Sequence, residues 1–421
     1  MSFGELKLAI SIVFGETTCI WRLYSLVCIG VFYKNLESEK ARLYIKLSAF
    51  GNNYQKQKKD GGIKMEFIVQ NAISEASKQK YSEVTVGQAN IKVIGVGGAG
   101  GNMVNWLYKK GVQGAEIIAI NTDKQHLDVH NADRKILIGR DVTRGLGAGG
   151  FPQKGLEAAR ESMQEVKEAL RDADMVFVCA GEGGGTGTGA APVVAKIAKE
   201  SGAIVIGTVT MPFSLERARI DKAEFGLQEL RQVSDSVIVI DNNRLVSIAG
   251  NLPIQQAFAV ANELISTMIR GIVETIAVPS LVNLDYADVR AIMSDCGVCS
   301  IGVGESNTDH KVEEATRRAL TNPLLDISYK GATGALIHVE GGADLTLDDV
   351  NKIGEIVTES LDRDANVIWG ARINEDMKGK LRVMTIIAGV TSPYILGRVD
   401  RASSERARKV QFSEELGIDI L

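Results

Sequence analysis

"GEGGGTGTGAAP", residues 181–192, sets glycine at 181, 183, 184, 185, 187 and 189 around Thr186 and Thr188. Glycine costs backbone entropy and adds nothing to a core, so this density needs a reason. The flanks supply one. "MVFVCA" (175–180) reads as a buried strand and "AAPVVAKIAKE" (190–200) as an amphipathic helix, a setting in which a loose linker has no place. A glycine-rich turn between a strand end and a helix start aims bare N–H groups and the positive end of the helix dipole at one point. That is an anion site. Thr186 and Thr188 add hydroxyl donors.

Two more loops of this kind lie upstream. "GVGGAGGN" (95–102) follows the strand "IKVI" and contains G-x-G-x-x-G at Gly95, Gly97 and Gly100. Alone, it reads as a dinucleotide fingerprint, with Asp123 of "AINTD" as the ribose partner. "GLGAGGFPQKG" (145–155) again separates a strand from a helix. Three phosphate-type loops on one sheet, without a Gly-Lys-Ser/Thr P-loop, suit a nucleoside triphosphate better than a pyrophosphate.

The surrounding pattern predicts an α/β fold. Apolar runs at 91–96, 115–120, 135–139, 175–181, 203–209 and 236–241 are continuous in Val and Ile, as in strands of a parallel sheet covered on both faces. Between them, Leu156, Ala159, Met163, Val166 and Leu170 carry helical spacing and predict one helix over 156–170. A long apolar helix is predicted over 253–277, with Pro253 in its first turn and Pro279 at its exit. A second α/β unit follows, with strands near 298–304, 334–340, 366–373 and 381–389. Its helices are expected near 287–294, 311–320 and 346–361.

The 421 residues carry 48 Lys and Arg against 52 Asp and Glu, a net charge of −4, so no basic excess points to nucleic acid. Five cysteines suit a reducing compartment, and Cys296 with Cys299 reads as two reduced core thiols rather than half a metal site. The four histidines, at 126, 130, 310 and 338, are scattered and read as surface or core residues. Residues 1–64 differ from the rest. "LKLAISIVFGETTCIWRLYSLVCIGVFY" (6–33) is apolar but broken by Glu16 and Arg22, too short between charges to span a bilayer. The expectation is that the chain starts at Met65 and that 1–64 is not translated; a membrane-associated leader is the alternative.

The elements "IKVIGVGGAGGN", "AINTD", "GLGAGG", "GGGTGTGAAP", "TVTMPF", "AFAVANE" and "NLDYADVRAIM" occur in an order and spacing that resembles the tubulin/FtsZ GTPase superfamily. Residues 91–395 are similar to its FtsZ members, and "AGEGGGTG" with the "IDIL" ending suggests an archaeal type. The resemblance implies a tubulin-like fold: a Rossmann-type parallel-sheet GTPase domain, a long central helix and a second, smaller α/β domain. The expected limits are an N-terminal segment at 65–90, a GTP-binding domain at 91–252, the central helix at 253–277, a C-terminal activation and assembly domain at 278–396, and a linker and tail at 397–421.

It further implies GTP or GDP with Mg²⁺. Gly97, Gly98, Gly101 and Asn102 would line the α- and β-phosphates, Ala148, Gly149 and Gly150 the γ-phosphate, and Gly184, Gly185, Thr186 and Gly187 the triphosphate. Glu216 would bind the ribose, with Arg219 beside it; Phe258 would stack on guanine while Asn242 and Asn262 read its edge. The residues alone say only that Phe258 and Asn262 pack on a helix. Three departures stand out: "SLERAR" is one residue short between Glu216 and Arg219, Phe151 replaces a common Asn, and residue 262 is Asn where Asp also occurs.

No residue in the loops is suited to activate water. Asn283, Asp285 and Asp288 of "NLDYAD" read bare as helix caps. In the family they enter the site of the next subunit, so the resemblance implies catalysis completed at a head-to-tail contact. It also implies a cytoplasmic protein at the midcell division ring, whose partner is itself. The tail "LGIDIL" has the composition of a segment that docks in a membrane-anchoring division protein. The rivals are a tubulin-like filament for cell shape and an NAD-dependent oxidoreductase.

Overall fold

The computed structural model describes residues 89–391, apart from Pro279, Asp295, Pro323 and Asp326. Chain contacts divide the molecule into 1–85 and 86–421, and the described residues all belong to the second unit. The expectations for the leader, Met65 and the tail lie outside the described residues.

The Val- and Ile-rich runs become strands. In chain order, β1 (Ile91–Val96), α1 (Gly97–Lys110), β2 (Ala115–Asn121), α2 (Lys124–Val129) and β3 (Arg134–Leu137) open the fold. Helices α3 (Arg140–Thr143), α4 (Pro152–Glu161) and α5 (Met163–Ala169) lead to β4 (Met175–Gly181) and α6 (Thr186–Glu200). Next come β5 (Ile204–Met211), a 3-10 turn (Ser214–Arg219), α7 (Ile220–Val233), β6 (Ser236–Asp241), α8 (Asn242–Ala249) and α9 (Ile254–Ala277). The C-terminal half runs α10 (Tyr286–Met293), β7 (Gly297–Ser306), α11 (Lys311–Leu320), β8 (Gly334–Gly341), α12 (Leu347–Thr358), β9 (Asn366–Ile373) and β10 (Leu381–Ala388).

The strand order is β3-β2-β1-β4-β5-β6-β7-β10-β8-β9. The first six strands are mutually parallel, and every residue of β1 and β5 is buried. Side chains alternate across the pleat: Ile94 and Val96 join one core, Ile91 and Val93 the other, so both faces are dry. The order 3-2-1-4-5-6 reverses between β1 and β4. Loops leaving those neighbours diverge there, and the crevice that opens at strand C-termini is where an α/β sheet takes ligands.

In the second half β10 runs antiparallel to both β7 and β8, while β8 and β9 are parallel. The halves meet in the sheet through a short parallel pairing, Ser236 with Gly297 and Val237 with Val298. Helix α9 turns Ala261, Ile265, Met268, Ile269, Ile272 and Val273 inward at three- and four-residue spacing. Cys296 and Cys299 are buried free thiols.

One predicted element is corrected. The helix expected over 156–170 is two, α4 and α5, broken at Ser162, which has φ −97° and ψ 20°. The Ser162 hydroxyl accepts from the Gly139 amide at 3.0 Å. Serine readily offers its side chain to a backbone group in place of helical pairing, and the apolar periodicity running through it hides the break.

Candidate nucleotide site

Helices α1, α4 and α6 start directly from the three glycine loops. None has a side-chain N-cap, and none has an acidic residue in its first turn. Two helices of the second half are finished differently: Asp285 caps α10 and Thr346 caps α12, each within a reciprocal capping box. A helix start left bare keeps its amide donors and positive dipole end for something else.

Contacts between the loops gather these ends. A Cβ on Gly97, at φ +74°, would stand 2.9 Å from the Gly187 amide nitrogen. One on Gly185 would stand 2.8 Å from Ala148 Cβ and 3.0 Å from the Phe151 nitrogen. The loops therefore touch backbone to backbone, which explains glycine where side chains would part them. Thr122 and Thr186 hydroxyls, 2.6 Å apart, tie the end of β2 to the first turn of α6. The β2 corner also steers the third loop, through Gly147 N–H to Thr122 O (3.2 Å) and Lys124 N–H to Gly145 O (3.0 Å).

The rim continues from the β4–α6 loop. Gly183 abuts the Arg219 carbonyl, and Arg219 pairs with Glu216 at 2.7 Å. Within this turn Arg217 holds a positive φ of 28°. Ser214 donates to Asn243 Oδ1 through its amide, 2.9 Å, and so joins the turn to the start of α8, where Asn242 lies. Phe213 meets Phe258 edge-on, centroids 6.3 Å apart. Phe258 is 43% exposed on the first turns of α9, an aromatic face left open, with Asn262 one turn further on.

Several contributors were not foreseen. Lys222 on α7 donates to the Gly150 carbonyl at 2.8 Å. Lys154 and Lys222 also lie over the Phe151 ring, at 5.5 and 5.7 Å from its centroid, and bring two cations to the third loop. His130 Nε2 meets Asn102 Oδ1 at 3.0 Å, and His126 packs edge-on against His130 beside Gly98. Burial holds His130 down to about 4, so the neutral imidazole buttresses Asn102. Cation and histidine placement depends on contacts distant in sequence, for which no local signal exists.

Asp123 caps α2, its Oδ1 accepting from the His126 amide at 3.1 Å.

Asn283, Asp285 and Asp288 stand apart. They follow the far end of α9, whose rise puts about 28 Å between Phe258 and its last residue. Asp285 accepts from the Asp288 amide at 2.9 Å, Asp288 from the Asp285 amide at 3.0 Å, and Asn283 Oδ1 from the Ser280 amide at 3.3 Å.

Residues 90–250 match the model of the tubulin/FtsZ family GTPase domain, and residues 297–391 that of the FtsZ family C-terminal domain. The chain belongs to the FtsZ family. It is 56% identical to cell division protein FtsZ 2 of Methanocaldococcus jannaschii over 79% of this chain and 88% of that one. Its identity to the FtsZ 2 of Halobacterium salinarum is 51%, over 82% and 89%. Among solved structures, an M. jannaschii FtsZ dimer superposes with a TM-score of 0.67 at 46% identity, covering 76% of this chain and 92% of that one. A protofilament of CetZ2 from Haloferax volcanii, bound to GTPγS, superposes with 0.63 at 25% identity, over 77% and 99%. This FtsZ-family chain thus pairs a GTPase domain with a second α/β domain, the tubulin/FtsZ fold. No helix among the described residues is long and apolar enough to cross a membrane.

Proposed function

We propose that the protein is a self-assembling GTPase whose head-to-tail filament forms the ring of a dividing prokaryotic cell. The observation that carries this reading is the meeting of three uncapped helix starts in one glycine cradle of a family GTPase domain. Their amides would hold the phosphates of GTP: Gly97, Gly98, Gly101 and Asn102 the α- and β-groups, Ala148, Gly149 and Gly150 the γ-group, and Gly184–Gly187 the chain between. Lys154 and Lys222 would add positive charge where the γ-phosphate carries most negative charge. Phe258 would stack on guanine between Asn242 and Asn262, with Glu216 on the ribose and Arg219 holding Glu216. Mg²⁺ would be held chiefly by the phosphates themselves, as is usual where a triphosphate brings its own oxygen ligands. It would neutralise phosphate charge.

Phosphoryl transfer needs positioning and charge stabilisation, together with an oriented water. The cradle supplies the first two. The water would be oriented by Asn283, Asp285 and Asp288 of a second copy, since in their own chain a long helix holds them away from the base. A contact between unlike faces repeats into an open filament, so hydrolysis and polymerisation become one event. The tail at 412–421 would dock the filament on a membrane-anchoring partner.

Turnover per molecule against concentration tests the reading. Activity should rise more than linearly, GTP should bind with Mg²⁺, and NAD should not compete. A turnover number independent of concentration would remove the shared site. A ring at midcell separates division from a role in cell shape.

A further inference from the structure

Glu182 sits where β4 passes into the phosphate loop, and nothing in the nucleotide reading uses it. Its amide donates to the Thr210 carbonyl at 3.0 Å, which fixes the backbone against β5. The side chain points inward and is 6% exposed. Neither carboxyl oxygen has a hydrogen-bond partner, and the buried hydroxyls of Thr188 and Thr208 are also unpartnered. Across from it α7 carries Gly226 in mid-helix. A Cβ there would stand 2.2 Å from Glu182 Oε2 and 2.4 Å from Thr188 Cγ2. Glycine in a helix interior is unfavourable; here its absence of a side chain is what leaves room for the carboxyl.

A buried carboxylate without a partner is held as the neutral acid. The charged groups of the packed elements do not change that. On α7, Lys222 is bonded to Gly150 O, and on the 3-10 turn Arg219 is bonded to Glu216. The Thr188 hydroxyl beside the carboxyl favours the charged form, but burial outweighs it. Burial pushes Glu182 up to about 7.

We infer that Glu182 is a proton-gated positioning residue: as the neutral acid it packs between Thr188 and Gly226 directly beneath the phosphate loop. As a carboxylate it opposes the binding of phosphates to that loop. This rests on the nucleotide reading of the same loop. Ionisation in place costs solvation, and the approaching phosphates add repulsion between like charges. Both act in one direction. GTP binding therefore raises the proton affinity of Glu182, and by linkage a proton raises the affinity for GTP. A one-unit rise in the bound state means about tenfold weaker binding above the transition than below it.

The experiment measures GTP affinity of the full chain, below its assembly concentration, from pH 5.5 to 8.5. Wild type should weaken about tenfold across neutrality, while Glu182→Gln, neutral at every pH and nearly the same shape, should stay flat near the low-pH value. Parallel profiles for the two proteins overturn the gate while leaving the nucleotide site intact. No GTP binding at any pH removes the nucleotide reading and the gate together. Both proteins are also titrated with GTP at pH 7.5 in buffers of different ionisation enthalpy. Proton uptake by wild type in excess of that by Glu182→Gln supports the gate, and equal uptake overturns it.

Discussion

The ammonium of Lys222 donates to the carbonyl of Gly150 across 2.8 Å, joining α7 to the third glycine loop. The loop needs the anchor, since Gly149 and Gly150 both hold positive φ, 60° and 75°, and have no side chains of their own to pack. A hydrogen bond with a charged partner contributes about 1.5–3 kcal/mol. Lys222→Met, which keeps much of the stem, should therefore lower the unfolding midpoint and, with the loop released, also weaken GTP binding by about tenfold in calorimetry. Unchanged affinity would mean that other contacts hold the loop.

Gly185→Ala sets a Cβ 2.8 Å from Ala148 Cβ and against the backbone of the third loop, so the β4–α6 and third loops must part. Binding of GTP should fall steeply while the fold survives. Gly354→Ala is the counterpart. It lies inside α12 with no atom within 4 Å of the new methyl, and should stabilise the protein by about 0.5–1 kcal/mol with no change in affinity. Denaturant midpoints and a binding titration read both effects.

Asp285→Asn separates capping from catalysis. Asparagine caps a helix about as well as aspartate, so the start of α10 should keep its stability. Loss of the charge should cost about 10²–10⁴ in hydrolysis, with GTP affinity of the isolated subunit unchanged. In mixtures the variant should depress wild-type turnover beyond simple dilution, because each variant subunit spoils a neighbour's site. Purely additive activity would place Asp285 outside the reaction.

Glu182 also predicts a pH dependence of stability. Its ordinary value of 4.5 is raised to about 7 on folding, so the native state holds the extra proton between them. Stability is then highest below pH 4.5 on this account and is lost as pH rises toward 7, by up to about 3 kcal/mol. His130 and His338, both held near 4 by burial, act in the opposite sense and lose stability as pH falls below 6.5. The comparison with Glu182→Gln isolates the first effect. The midpoint difference between Gln and wild type should grow from pH 5 to 7.5 and then level off.

Much of the fold was legible because its signals are local. Strands β1, β4, β6 and β9 appear at the predicted residues, since an unbroken Val/Ile run between turns permits little else. Helix α9 begins one residue later than expected, because Pro253, read as part of its first turn, is its N-cap with ψ at 141°. The glycine loops were visible from composition and flanks. Where reading along the chain failed, the deciding partner was remote: Gly139 for the break at Ser162, Gly150 for Lys222, Asn102 for His130.

Sequence by itself determined that this is an α/β protein with three glycine loops between strands and helices, because periodicity and turn chemistry act between residues a few positions apart. It also marked Asp285 and Asp288 as caps. Only the tertiary structure decided that the three loops converge on one cradle, since strand order, and with it the switch between β1 and β4, is chosen by packing across the sheet. Only the tertiary structure buried Glu182 against a helix glycine 44 positions away, and left the acids of α10 at the far end of α9 from Phe258. Solvent exclusion and distance are properties of the packed chain, and no window of sequence contains them.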